Sequence, residues 1–259
     1  MIDIKSIPSV SVNYACNGSS TKANEMGMRA MQERAYEKRG EQYLLIKSPP
    51  ASGKSRALMF VALDKLKNQG LKQAIIVVPE KSIGASFNDE PLSKYGFWAD
   101  WHVEPKWNLC NAPGNDNGGK VKSLGTFLES DDEVLVCTHA TFRFGFDAVE
   151  AARGIAAFDD IFLAIDEFHH VSADDNNRLG QILRRVVTRE RAHVMAMTGS
   201  YFRGDAVPVL RPEDEARFVP ITYSYYEQLD GYEYLKSLGI NYSFYKGRYL
   251  NGLPEVLDT

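Results

Sequence analysis

The sequence predicts an α/β fold, a mostly parallel sheet with helices on both faces. Two observations predict it. Short apolar runs recur along the chain, and the stretches between several of them carry apolar residues at helical spacing. With 259 residues and 44% hydrophobic content, the chain can bury a full core as one large domain or two small ones.

The elements follow in order. Residues 1–24 are polar and poorly periodic, with a turn at Asn17-Gly18-Ser19-Ser20-Thr21, and read as an N-terminal extension. Tyr43-Leu44-Leu45-Ile46-Lys47 reads as a buried strand, and Leu58, Val61 and Leu66 mark the helix after it. Ala74–Val78, Glu133–Cys137 and Ile161–Ile165 are further strands. Leu179, Ile182, Leu183, Val186 and Val187 recur as one helical face, and His193–Met197 returns as a strand. The lobe built by this alternation is expected to span residues 25–211.

Two regions depart from the alternation. Residues 88–122 form an irregular insertion holding Trp98, Trp101 and Trp107, with Pro105 and Pro113, and a turn-rich stretch from Pro113 to Gly119. Packing of these aromatics onto the domain is the favoured reading, and a base-stacking platform beside Lys106, Lys120 and Lys122 is the alternative. From Pro212 to Thr259 tyrosines crowd a segment with few aliphatic residues, among them Tyr223, Tyr225, Tyr226, Tyr232, Tyr234, Tyr242, Tyr245 and Tyr249. It reads as a connector or a partner-binding strip.

The chemistry lies at two junctions. Ser48-Pro49-Pro50-Ala51-Ser52-Gly53-Lys54-Ser55 joins the first core strand to its helix. In such a loop, backbone N–H groups and a helix N-terminus surround phosphates. Pro50, Ala51, Ser52 and Gly53 would line the cradle, Lys54 would reach the outer phosphates, and the Ser55 hydroxyl would bind Mg2+. Ser48 stands where the usual pattern has glycine. Ala51 stands where flexible glycine is common, so it is expected to adopt an ordinary backbone angle. Downstream, Asp166 and Glu167 follow Ile161–Ile165, at the strand end where open parallel sheets place ligands. Asp166 fits a metal-holding carboxylate and Glu167 a catalytic base. Capping of the next helix is the alternative, weakened by the phosphate loop in the same chain.

These residues resemble the superfamily 2 helicases and translocases of the DExH type. Lys54-Ser55 is similar to their motif I and Asp166-Glu167-Phe168-His169 to motif II. Arg29-Ala30-Met31-Gln32 resembles the segment in which a glutamine, here Gln32, contacts adenine. Val77-Val78-Pro79-Glu80-Lys81-Ser82 is similar to motif Ia, Cys137-Thr138-His139-Ala140-Thr141 to motif Ib, and Met197-Thr198-Gly199-Ser200 to motif III. Tyr201-Phe202-Arg203-Gly204-Asp205 resembles type III restriction helicase subunits and their DEAD/DEAH relatives. The resemblance covers residues 25–205 and implies a RecA-like P-loop NTPase lobe that binds ATP and Mg2+. It further implies that His169, Thr198 and Ser200 couple the nucleotide to a strand. Pro79, Lys81, Ser82, Thr138 and His139 would hold nucleic-acid phosphates, with DNA favoured over RNA. Ordinary strand-to-helix capping is the alternative for each of those five.

Composition bounds the rest. Cys16, Cys110 and Cys137 have no paired spacing, which fits a reducing compartment. No signal-peptide pattern and no membrane-spanning apolar run is present, so a cytoplasmic protein is expected. The net charge of −4 confines nucleic-acid binding to a local track. Nothing after Ser200 resembles the motifs of a second RecA-like lobe, so that lobe is expected in cis on a longer protein or in trans on another chain. Alone, this chain is expected to hydrolyse ATP weakly for lack of the second-lobe arginine. The alternatives are a duplex-DNA translocase of a restriction or phage-defence system, a non-hydrolysing nucleotide-gated module, and a small-molecule kinase.

Overall fold

Strands covered on both faces must be apolar at every position, and this is what the central runs become in the computed structural model. It describes residues 9–13, 23–111, 117–168, 177–199, 212–230, 237–241, 247–250 and 253–256. The chain divides into two units, residues 1–21 with 229–259, and residues 22–228. In the smaller unit β1 (Ser9–Asn13) pairs antiparallel with β8 (Ser237–Asn241), and β9 (Gly247–Leu250) with β10 (Leu253–Val256).

The larger unit runs α1 (Ala30–Glu37), β2 (Tyr43–Lys47), α2 (Lys54–Asn68), β3 (Gln73–Val78), α3 (Lys81–Gly84), α4 (Asn117–Phe127), β4 (Val134–Thr138), α5 (His139–Arg153), β5 (Ile161–Ile165), α6 (Arg178–Arg189), β6 (His193–Thr198), α7 (Pro212–Glu215), β7 (Val219–Thr222) and α8 (Tyr225–Asp230). Six parallel strands lie in the order β4-β3-β5-β6-β2-β7. The RecA-like α/β expectation is met. Alternation along β2 sends Leu44 and Ile46 into a core with α1 and α2, whereas Tyr43 and Leu45 enter the opposite core with α4, α5 and α6.

The sixth strand is a difference from the sequence reading. Pro220 in Val219–Thr222 argues against a central strand, but β7 lies at the sheet edge beside β2. There a residue without an N–H is tolerated. Tyr223 then donates its N–H to Lys47 (2.9 Å), so the larger unit continues past residue 211, where the sequence reading ends the lobe.

Within the insertion, Trp101 and Trp107 are buried and donate their indole N–H groups to Phe87 O (3.1 Å) and Asp132 Oδ2 (2.6 Å). Both therefore pack rather than present a platform. Trp98 is half-exposed and donates to the Tyr36 hydroxyl (3.1 Å). Asn117, Gly118 and Gly119, read from sequence as part of a turn, open α4. Glycine is tolerated in a first turn because those N–H groups have no partner within the helix anyway.

Candidate active site

All strands of a parallel sheet end on one side, so Lys47, Val78, Thr138, Ile165 and Thr198 bring the loops that follow them to a common edge. The loop after β2 is held by its own atoms and by the end of β6. Ser48 N–H donates to Thr198 O (3.1 Å), Ser52 N–H donates to Pro49 O (3.4 Å), and the Ser48 and Ser52 hydroxyls lie 2.5 Å apart. Gly53 has φ +90°, and a β-carbon there would sit 2.5 Å from Gln32 Nε2.

Ala51 corrects the sequence expectation. Its φ is +61°, in the left-handed region. Turning successive N–H groups into one concavity requires positive φ, and the loop imposes it on alanine despite a cost of roughly 1 kcal/mol. Ala51→Gly is accordingly expected to stabilise the chain by about 0.5–1 kcal/mol, read as a higher urea midpoint. An unchanged or lower midpoint would show that Ala51 carries no strain.

Lys54, first residue of α2, donates through Nζ to Ser48 O (3.2 Å) and Pro49 O (3.0 Å). Burial pushes its ammonium below the ordinary lysine range, while Glu167 and Asp166 pull it upward. The basic and acidic parts of the site, more than a hundred residues apart in sequence, thus act on one another. Gly199 completes the contact, its β-carbon position lying 3.5 Å from both Lys54 Nζ and Pro50 Cδ.

Asp166 is buried beyond the end of β5, with its N–H donated to Val77 O (2.9 Å). Desolvation, then the neighbouring Glu167 charge, raises its pKa to about 6. Glu167 donates its N–H to Asp166 Oδ1 (3.0 Å) and has φ +49°. A non-glycine residue held at such an angle is costly and concentrates at functional sites. Phe168, fully buried in the core, anchors the turn.

The Asp166 shift sets a stability prediction. A carboxyl whose folded pKa is raised to about 6 favours folding below the unfolded value near 4 and loses that contribution as pH rises through 6. Asp166→Asn keeps the acceptor for Glu167 N–H and removes the charge. The nucleotide-free variant is expected to be more stable than wild type by roughly 2–3 kcal/mol at pH 7. The gain should vanish by about pH 4. Urea denaturation at the two pH values measures it, and equal stability at pH 7 would show that Lys54 already offsets the buried charge.

The remaining sequence candidates distribute as follows. Gln32 is buried, accepts Arg29 N–H at Oε1 (2.8 Å) and donates Nε2 to Gly53 O (3.1 Å), so the start of α1 is fastened to the loop after β2. Thr198 is buried, and its carbonyl receives Ser48 N–H. Ser55 is half-buried in the first turn of α2. Thr138 caps α5 by accepting Thr141 N–H (3.2 Å). His139 Nε2 lies 2.9 Å from Asp166 O, which can only accept, so the imidazole donates there. Pro79 is half-buried, Lys81 and Ser82 are exposed, and Ser82 Oγ donates to Glu80 Oε1 (2.6 Å). His169 and Ser200 lie outside the described residues, as do Tyr201–Asp205.

Gln228 is a site neighbour with no sequence signal: its Nε2 donates to Pro50 O (3.1 Å), bringing α8 to the loop. Arg34 of α1 binds the same region through Thr222 O (2.5 Å) and Glu227 (2.9 Å).

A phosphate loop facing a buried acid at one sheet edge agrees with a family match over residues 29–204 to the DEAD/DEAH box helicases. The chain belongs to the DEAD/DEAH box helicase family. This helicase chain is 60% identical over 250 residues to YeeB of Bacillus subtilis (strain 168), provisionally named an ATP-dependent helicase. The match covers 96% of the chain and 41% of YeeB. Among solved structures it is similar to the DUF1998 helicase MrfA bound to DNA and AMPPNP, with TM-score 0.56 and 10% identity over 96% of this chain and 35% of the other. MrfA bound to DNA gives TM-score 0.51 at 9% identity, over 83% and 32%. These likenesses concern fold. The helicase chain therefore spans about two fifths of its curated relative and a third of the solved structures. Among its described residues no helix is long and apolar enough to cross a membrane.

Proposed function

We propose that this chain is the first, ATP-binding lobe of a nucleic-acid-dependent ATPase, which drives unwinding or translocation when joined to a second RecA-like lobe in cis or in trans. The observation that carries the reading is the placement of Lys54, at the start of α2, and of Asp166 and Glu167, just past the end of β5, at one edge of the parallel sheet. Bound magnesium and nucleotide would supply the phosphoryl electrophile and neutralise its charge. The residues fit both groups. Positive φ at Ala51 and Gly53 forms a cradle of N–H groups, and Lys54 adds the charge an anion needs. Ser55 and Asp166 offer the hard oxygen ligands magnesium takes, the rest coming from phosphate and water.

In this reading Pro50, Ala51, Ser52 and Gly53 orient the phosphates, Lys54 holds them, and Glu167 takes a proton from water. Gln32 lies at the base. Thr198, through the Ser48 hydrogen bond, and His139, through Asp166 O, connect the site to β6 and α5. His169 and Ser200 would extend that coupling. Pro79, Lys81, Ser82 and Thr138 lie on loops at the same edge and would grip phosphates of one strand without reading bases. DNA is favoured over RNA because both MrfA structures of similar fold are described as DNA-bound. An arginine finger from the second lobe is commonly worth a thousandfold or more in rate, so the chain alone should turn over weakly.

The test is ATP turnover by the complete protein, or by this chain with its second lobe, with and without single-stranded DNA, duplex DNA and RNA. Stimulation by one of them supports the reading, and strand displacement then separates unwinding from translocation. Turnover indifferent to every nucleic acid would overturn it.

A further inference from the structure

The loop after β2 contains a turn that its own residues do not favour. Ser52 N–H donates to Pro49 O (3.4 Å), which makes Pro50 and Ala51 the central pair of a four-residue turn. Proline in the first central place and positive φ in the second, +61° at Ala51, match a type II turn, whose second place ordinarily belongs to glycine. Alanine there leans toward the type I alternative, which differs by a flip of the Pro50–Ala51 peptide plane. A contact from outside the turn is needed to favour the orientation observed.

Gln228 supplies that contact. It is buried, and its Nε2 donates to Pro50 O (3.1 Å) from 178 residues downstream. The donor stands on a braced element. β7 pairs with β2, and Tyr223 N–H extends the pairing to Lys47 O (2.9 Å), the residue before the loop begins. α8 then starts from a capping box, in which Ser224 Oγ accepts Glu227 N–H (3.1 Å) and Glu227 Oε2 accepts Ser224 N–H (2.8 Å). The other Glu227 oxygen accepts from Arg34 of α1 (2.9 Å). Gln228 follows directly, so its side chain leaves a backbone fixed by β2, by the helix cap and by α1.

We infer that Gln228 is a positioning residue for the phosphates of the bound nucleotide, acting through the Pro50–Ala51 peptide. The inference deepens the nucleotide-binding reading and rests on it. All peptides described are trans, and in a trans peptide the N–H points opposite to the C=O. A Pro50 carbonyl held by Gln228 therefore turns the Ala51 N–H away from α8 and leaves it to an anion. N–H groups aimed into one concavity are what a phosphate needs, and an orientation fixed before binding spares the ligand the cost of imposing it. The contact reaches the loop and not the base, so it acts on polyphosphate binding alone. It comes from α8, beyond the point at which the sequence reading ends the lobe.

Calorimetric titration of this chain with Mg·ATP and Mg·tripolyphosphate tests it, using wild type, Gln228→Met, Ala51→Gly, the double variant and Lys54→Ala. Methionine fills the glutamine volume without a donor. Gln228→Met is expected to weaken both ligands by the same factor, about three- to tenfold, the loss of one hydrogen bond. In the Ala51→Gly background positive φ needs no support, and the same substitution should cost no more than about twofold. A general loosening of α8 would not produce that difference. Equal affinity of wild type and Gln228→Met overturns the inference, and so does a loss confined to ATP or one of equal size in both backgrounds. If Gln228→Met lowers the urea midpoint too far for titration, Gln228→Asn, which keeps the amide but is one methylene shorter, replaces it with the same expectations. Lys54→Ala separates the two failures. A Lys54→Ala protein that binds both ligands as wild type does overturns the nucleotide reading and the inference with it, whereas weakened binding in Lys54→Ala without the Gln228 effects removes only the positioning role.

Discussion

If the chain acts as proposed above, Glu167→Gln in the complete protein is expected to lower ATP turnover by about a thousandfold and to leave nucleotide affinity within a few-fold of wild type. Glutamine has the volume and acceptor oxygen of glutamate but no basicity at neutral pH, and positioned proton transfer contributes about 10²–10⁴ in rate. The backbone gives a reason to expect the fold to survive. Glu167 sits at φ +49° between buried Asp166 and buried Phe168, and glutamine meets the same constraint with the same side-chain length. Steady-state turnover and equilibrium binding, measured side by side, decide the matter. Residual turnover within tenfold of wild type would remove Glu167 from the role of base, and lost binding would assign it to the nucleotide cradle instead.

Lys65→Met destabilises the chain by roughly 2–4 kcal/mol, because it removes a charge from a place built around it. Lys65 is fully buried and donates to Glu41 O (2.7 Å), Gln69 Oε1 (3.0 Å) and His193 Nδ1 (2.8 Å). Three acceptors match the three donors of an ammonium. Burial lowers the lysine pKa to about 8, which leaves it charged at pH 7. Burial and then the Lys65 charge lower His193 to about 4, which keeps that imidazole neutral and accepting. Methionine fills the volume and strands all three acceptors. The midpoint of urea denaturation reports the loss, and a change below about 1 kcal/mol would show that the acceptors find other donors.

The same cluster carries a pH dependence. A histidine whose folded pKa is depressed to about 4 contributes stability that is present above its unfolded value near 6.5 and lost as pH falls through 4. Asp166 works in the opposite sense over nearly the same window. Wild type should therefore change little in stability between pH 6.5 and 4.5, whereas Asp166→Asn, freed of the opposing group, should lose stability steadily over that interval.

The loop after β2 and the acidic pair after β5 were legible because the phosphate binding proposed for them needs special residue types in a fixed order. Lys54, Ser55, Asp166 and Glu167 announced themselves by chemistry at strand ends, and the five central strands by unbroken apolar runs. Trp101 and Trp107 followed the favoured packing reading. β7 escaped because Pro220 reads against a strand, and only its edge position beside β2 makes it tolerable. The left-handed angle at Ala51 escaped because alanine, unlike glycine, gives no sign of it.

By itself the sequence determined the parallel α/β plan, the phosphate loop and the acidic pair, because periodicity and residue type act over a few neighbouring positions. Only the tertiary structure decided that Lys54 and Asp166 come to one sheet edge, that Gln32 is tied to Gly53, that Gln228 reaches Pro50, and that Tyr95 stands beside Arg56. Those contacts join residues distant in the chain. Their geometry follows from strand order and from close backbone approach at glycines such as Gly27 and Gly96, which no local pattern encodes.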